Sequence, residues 1–287
     1  MKKLIFALLL LVSGALSAQD NGLFWKVTSP EGKQSYLFGT YHLMGSDFLK
    51  EDRPEVLDAF QKADQVIVEM VLDSAKLPGL MPYYMMPEHS LKALVNEEDY
   101  FLLKQKLEPL MGAPLAALDH LKPAVLSMTY SLSVMQEAMP DSAQRDGKPM
   151  DLFFAEEGAK TSKKVLALES MEEQVKILMN TQSPKEQVDE LLKLLKEEEG
   201  TLLDAQSLIS AYLSDDLEDI QGLGEQYEEE NGGMDELVVK RNLNWIPTLS
   251  AQLEQGGAFV AVGALHLSGE QGLVSLLRKE GFKLEAL

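Results

Sequence analysis

No cysteine occurs among the 287 residues of the chain. Disulfides, thiolate metal ligands and the lipid-acceptor residue of a bacterial lipoprotein are therefore excluded, so stability in an oxidising compartment must come from an ordinary apolar core. Basic residues are scarce as well. With 26 Lys and Arg against 46 Asp and Glu the formal charge is −20, which argues against nucleic acid and anionic membrane surfaces as partners but leaves metal cations free to approach. Only one long apolar run exists, Leu4 to Val12, and it is too short for a spanning helix. Four signatures are absent: a Walker loop, G-x-G-x-x-G after a strand, H-E-x-x-H, and the G-x-S-x-G elbow. Nucleotide chemistry and serine hydrolysis lose ground accordingly.

That apolar run lies between Met-Lys-Lys and Ser13-Gly-Ala-Leu-Ser-Ala18. A basic start, a short apolar stretch and a small-x-small ending predict a signal peptide over residues 1–18, cleaved before Gln19. The mature chain, residues 19–287, is then expected to be periplasmic or secreted, without a stable membrane anchor, and to carry −22 once Lys2 and Lys3 are lost. It is long enough for a single α/β domain.

Histidine is rare, and its placement is the most informative feature present. Two of the four histidines occupy the same place in a repeated G-x-x-H-L-x-G pattern, Gly39 to Gly45 around His42 and Gly263 to Gly269 around His266. Each copy follows an apolar run, Tyr36 to Phe38 and Ala258 to Val262, so each imidazole is expected to leave the end of a buried strand, where α/β proteins place chemistry. The preceding glycines suit a sharp turn or a close approach of backbone. His89 and His120 have no patterned context and read as ordinary histidines.

The flanking pattern predicts an α/β fold with a central sheet of two related halves. Leu23 to Val27 and Gln34 to Phe38 flank Ser29-Pro-Glu-Gly32, which is hairpin chemistry. A helix over Arg53 to Ala63 leads to a strand over Gln65 to Val71. At the other end, a helix over Asp235 to Gln255 precedes the strand Ala258 to Val262, and Gly269 to Glu280 is helical before a short strand over Lys283 to Leu287. Helix crossovers imply parallel pairing. Between about 77 and 255 the pattern is a large helical insertion punctuated by prolines, broken by one strand over Ser162 to Glu169. The acidic stretches within it read as solvated faces.

Two imidazoles need further ligands to hold a metal, and carboxylates complete such sites. Glu69 interrupts the apolar run Val66 to Val71, where an unpaired charge is costly. It is the expected third member beside His42 and His266, with a buried salt bridge as the other reading. Glu169 ends its own strand in the analogous way and is read as a further ligand or general base, or as part of a helix start at Ser170-Met-Glu-Glu173. Arg241 and Asn242 offer a cation and an amide for a developing oxyanion, although Arg241 also suits a surface salt bridge. Asp151 reads as a cap of the helix starting at Leu152. Thr40 and Tyr41 are hydrogen-bond donors near His42 in sequence.

The stretches YLFGTYHLMG, VIVEM, VLALESMEEQ, RNLNW and AVGALHLSGEQGLVSLLRKEGF together resemble the TraB/GumN family. Its relatives include the Tiki metalloproteases and, more distantly, the erythromycin-esterase and ChaN-like haem-binding proteins. The resemblance implies an α/β core with a site between two halves, with His42, His266 and Glu69 at the family's functional positions. Activity is expected to be that of a metal-dependent hydrolase, a metallopeptidase using Mn, Co or Zn on a peptide or small-molecule substrate. The alternative is a non-catalytic protein that holds a metal or haem in the same cleft.

Overall fold

The computed structural model describes residues 21–287; the signal peptide expected over 1–18 lies outside the described residues. Six strands form one sheet: β1 (Phe24–Thr28), β2 (Gln34–Thr40), β3 (Gln65–Val68), β4 (Lys164–Ala167), β5 (Ala258–Gly263) and β6 (Lys283–Ala286), in the order β4-β3-β5-β2-β1-β6. β1 and β2 make the expected hairpin, closed by the Gly32 N–H donating to Ser29 O. β2, β5, β3 and β4 then pair parallel to one another. The central strands β3 and β5 are apolar on both faces because helices cover both.

The two halves are interleaved in space. β5 inserts between β2 and β3, so the strands that precede the two histidines are direct neighbours, with Gly39 opposite Val262 and Thr40 opposite Gly263. One expectation needs correction: β6 does not pair parallel to β5. It crosses to the far edge and pairs antiparallel with β1, because β2 and β3 already flank β5. A missing Cβ permits the central contact. A Cβ on Gly39 would lie 3.0 Å from the Cα of Ala264, in the second histidine motif.

Helices start where the sequence provides caps. Pro54 opens the helix Pro54–Lys62, and Ser170 with Glu173 forms a complete capping box at the start of the helix Met171–Asn180. Across the sheet, a cluster of Phe38, Phe60, Phe154 and Phe259 ties β2, the helix Pro54–Lys62, the helix Met150–Lys160 and β5 together, with Phe154 and Phe259 centroids 4.9 Å apart. That packing matters for the site because it fixes the helix Met150–Lys160, whose first turn carries Asp151. The insertion helices Pro123–Ala138, Pro184–Lys196 and Glu198–Leu213 pack on one another. Among the described residues no helix is long and apolar enough to cross a membrane.

Candidate active site at the strand edge

Four parallel strands end on one edge, and the residues following them meet there. His42 leaves β2, Glu69 follows β3, Glu169 follows β4 and His266 follows β5. The Glu169 N–H donates to Glu69 O at 2.9 Å, extending the β3–β4 pairing to the carboxylates. His42 and His266 share the cleft with Glu69. A Cβ built on Gly263 would lie 3.2 Å from Glu69 Oε1 and 3.7 Å from both His42 Nε2 and His266 Cδ2. A side chain at Gly263 would therefore fill the point on which all three converge.

His42 has its side chain 67% exposed, with Nδ1 at 2.6 Å from Asp151 Oδ2. The other oxygen of Asp151 accepts from Thr40 Oγ1 at 2.5 Å. Helix N-terminal placement favours a carboxylate at Asp151. The Asp151 charge raises the His42 pKa to about 9, against the opposing effect of desolvation. Asp151 thus reaches back 109 residues to orient His42, beyond the simple helix cap that its local sequence suggests.

His266 is buried and its ring lies 4.5 Å from that of Trp245. Asn242 donates through Nδ2 to the carbonyls of His266 and Gln271, so its Oδ1, 2.7 Å from His266 Nδ1, is the acceptor. The network assigns the proton to Nδ1 and leaves a lone pair on Nε2. Burial lowers the pKa to about 4, and the nearby Arg241 cation acts in the same direction. At neutral pH the two imidazoles are in opposite states.

Arg241 is the hub of the buried wall. Its Nε donates to Glu169 Oε2 at 3.1 Å and its Nη2 to Glu169 Oε1 at 2.6 Å and Glu69 Oε2 at 2.5 Å. Nη1 donates to Leu237 O at 2.8 Å and to His266 Nε2 at 3.1 Å. These contacts match the guanidinium's five N–H donors. An oxyanion would find none free, so the structure gives Arg241 a positioning role in place of the anticipated oxyanion contact. Glu169 is gripped through both oxygens and holds Arg241 in place. The local backbone contributes: a π-helical turn over Asp235–Val239 precedes the helix Lys240–Leu253 and presents Leu237 O to the guanidinium.

Glu69 is also engaged through both oxygens. Oε1 accepts the Gly263 N–H at 2.7 Å, and Oε2 accepts from Arg241 and from Gln174 Nε2 at 3.3 Å. Burial opposes its ionisation, but the charges of His266, Arg241 and His42 and the Gly263 N–H hold its pKa down at about 2.

Half of a metal site's grammar is present: Asp151 and Asn242 fix Nδ1 of each histidine, as neighbours of metal-binding histidines do. The other half is not. Glu69 and the Nε2 of His266 are engaged by protein donors, and among the described residues no group of three or more His, Cys, Asp or Glu is arranged to hold a metal ion. The expected His42, Glu69 and His266 set comes together as a cluster, but in this arrangement it does not fit a metal.

Beside Glu169 lies a cavity of about 860 Å³ lined in part by Val71, Leu80, Leu168 and Met171, a volume within the range that binds small molecules or a few residues of peptide. Val71, Leu72, Leu77 and Met81 are exposed along the same segment. His89 and His120 lie elsewhere, His120 Nδ1 bonding to His89 O.

A parallel sheet edge carrying two imidazoles from duplicated motifs, with a buried carboxylate and arginine between them, defines an α/β protein with a two-half cleft. The sequence model of the TraB/PrgY/gumN family matches residues 23–286, and the chain belongs to that family. No curated relative and no solved structure matches the chain.

Proposed function

We propose that the protein is a hydrolase of amide or ester bonds working at this cleft, with His42 as the acid–base group. The observation that carries the reading is the Asp151–His42 pair, which leaves Nε2 facing the point shared with Glu69 and His266. When neutral, Nε2 takes a proton from water as the oxygen bonds to the substrate carbonyl carbon. The same nitrogen then gives that proton to the leaving nitrogen or oxygen as its bond to carbon breaks. Asp151 accepts from Nδ1–H throughout and stabilises the transient imidazolium. The Glu69–Arg241–Glu169 network and His266 form a rigid wall that fixes the cleft's shape, and the adjacent cavity offers room for apolar substrate groups.

A peptide is the first substrate to test, because the sequence resemblance extends to the Tiki proteases. Incubating wild-type protein and His42→Ala with a peptide library, with products read by mass spectrometry, tests the proposal. Cleavage by the wild type that is lost in His42→Ala supports it. Retention of a ligand without turnover under any condition supports a binding protein instead. We also propose export with removal of residues 1–18: N-terminal sequencing of protein recovered from the periplasm or medium should begin at Gln19, and an intact Met1 there would refute it.

A further inference from the structure

We propose that the open edge of β4 is a docking site for an extended, uncharged apolar peptide, which adds to the sheet as a further strand and leads on to the cleft. It rests on the hydrolase reading in one respect, that the docked peptide is part of a substrate. β4 stands at one end of the sheet and has β3 as its strand neighbour. The Lys164 N–H donates to Asp64 O at 3.3 Å and the Leu168 N–H to Val68 O at 3.0 Å. Because peptide groups alternate in direction along a strand, these residues and Leu166 face β3, while Val165 and Ala167 turn their N–H and C=O groups to the open side. Among the described residues no hydrogen bond engages those outward groups, and Ala167 is exposed. An edge with unpaired backbone groups is a template for another strand.

What faces that edge selects the occupant. Ala167 and Leu168 line the cavity of about 860 Å³ together with Val71, Leu80 and Met171. Every charged side chain in the lining is already engaged: Asp73 with Lys76, Glu172 with Lys176, Glu173 with the Ser170 N–H, and Glu169 with Arg241. The cavity therefore asks for backbone hydrogen bonds and apolar side chains and offers no free charge. A second copy of the chain is the poorer occupant, because Lys163 and Lys164 stand at the start of the edge and copies of charge −20 repel. The edge is also continuous with the candidate site, since β4 ends at Glu169, whose N–H bonds Glu69 O. With the order β4-β3-β5-β2, a strand added outside β4 lies four strand spacings, roughly 19 Å, from β2 and His42, which an extended chain covers in about six residues. The seated segment is thus remote from the bond that is cut, and substrates must be long enough to span both places.

The test is peptide binding to His42→Ala, so that it does not depend on turnover. A synthetic library of N-acetylated, C-amidated octapeptides is passed over the immobilised variant, retained members are read by mass spectrometry, and the tightest is titrated by fluorescence anisotropy. Retained members should be apolar and uncharged. Ala167→Pro on the same background removes the outward N–H and leaves the β3 ladder intact, since proline is tolerated where an edge N–H faces away from the sheet. It should melt like its parent and bind the peptide about tenfold or more weakly, through the lost backbone hydrogen bond and the ring that blocks the edge. Val71→Asp, at a 40% exposed position in the cavity wall, should weaken binding in the same direction. N-methylation of alternate peptide residues should abolish binding in one phase and spare it in the other, as strand addition requires. The proposal is overturned if no member is retained, if folded Ala167→Pro binds as tightly as its parent, if the two N-methyl phases are equivalent, or if light scattering shows the edge pairing two copies. Should Ala167→Pro fail to fold, the N-methyl series and Val71→Asp decide. Phase-dependent binding without any cleavage by the wild type would sink the hydrolase reading and leave the docking site standing, whereas cleavage of long peptides without phase-dependent binding would do the reverse.

Discussion

Asp151→Asn isolates the interaction on which the proposed chemistry depends, because it removes the charge facing His42 while keeping a side chain of similar shape. The Asp151 carboxylate lies 2.6 Å from His42 Nδ1 and raises the imidazole from 6.5 to about 9. An opposite charge at such a distance is worth about 1–3 pH units. Solvent around a side chain that is 67% exposed trims the effect towards the lower part of that range. The assay is an NMR titration of the imidazole Cε1–H signals. A chain with four histidines permits assignment by single His→Ala variants. His42 should titrate well above an ordinary histidine in the wild type and fall by about 1–3 pH units in Asp151→Asn. A wild-type value near 6.5, or one that the substitution leaves in place, would refute the orienting role of Asp151.

Two further outcomes follow from the same geometry. His266 is lowered from 6.5 to about 4 and Glu69 from 4.5 to about 2, so in both windows the unfolded chain binds more protons than the folded one. The share these two groups contribute should therefore be full above about pH 6.5 and decline as pH falls through 4 towards 2, the His266 part amounting to about 3 kcal/mol. The share of His42, raised to about 9, is full below about pH 6.5 and is lost as pH rises through 9, so that stability peaks near pH 6.5. Urea midpoints taken across that range check it, and a midpoint independent of pH between 6.5 and 4 would contradict the buried neutral state of His266. Gly263→Ala should leave the fold within about 1 kcal/mol of wild type, since its φ of −54° suits any residue. The new Cβ meets Glu69, His42 and His266 and should lower kcat/KM by the order of a hundredfold. Denaturant melts with peptide turnover separate the two effects, and full activity would show that the cleft's chemistry lies elsewhere.

The parts of the site legible in sequence were those marked by a local conflict or a repeat. Glu69 stood out as a charge in an apolar strand, and His42 and His266 through the duplicated glycine pattern. Their meeting follows from strand direction, because β2, β3 and β5 run parallel and end on one edge. Asp151 gave no such signal: a carboxylate at a helix start is ordinary, and its partner is distant in the chain. Asn242 was noticed as an amide, but its duty of fixing the His266 tautomer depends on a fold-specific contact across 24 residues. Arg241 and Glu169 were legible as functional types, and a salt bridge was one reading of Arg241, but that the pair is buried and bound to Glu69 could not be read, because sequence cannot count how many donors a neighbouring fold has already engaged. The same limit applies to β6, whose place beside β1 depends on β5 having both its neighbours already.

The most direct test is the pH dependence of peptide hydrolysis by chelator-treated wild-type protein. A catalytic His42 must be unprotonated to accept a proton from water. With Asp151 raising its pKa, kcat/KM should persist after chelation, rise with pH through about 9, and vanish in His42→Ala. Hydrolysis that stops on chelation and returns only with added divalent ion, or that survives in His42→Ala, would contradict the assignment of His42 as the acid–base group.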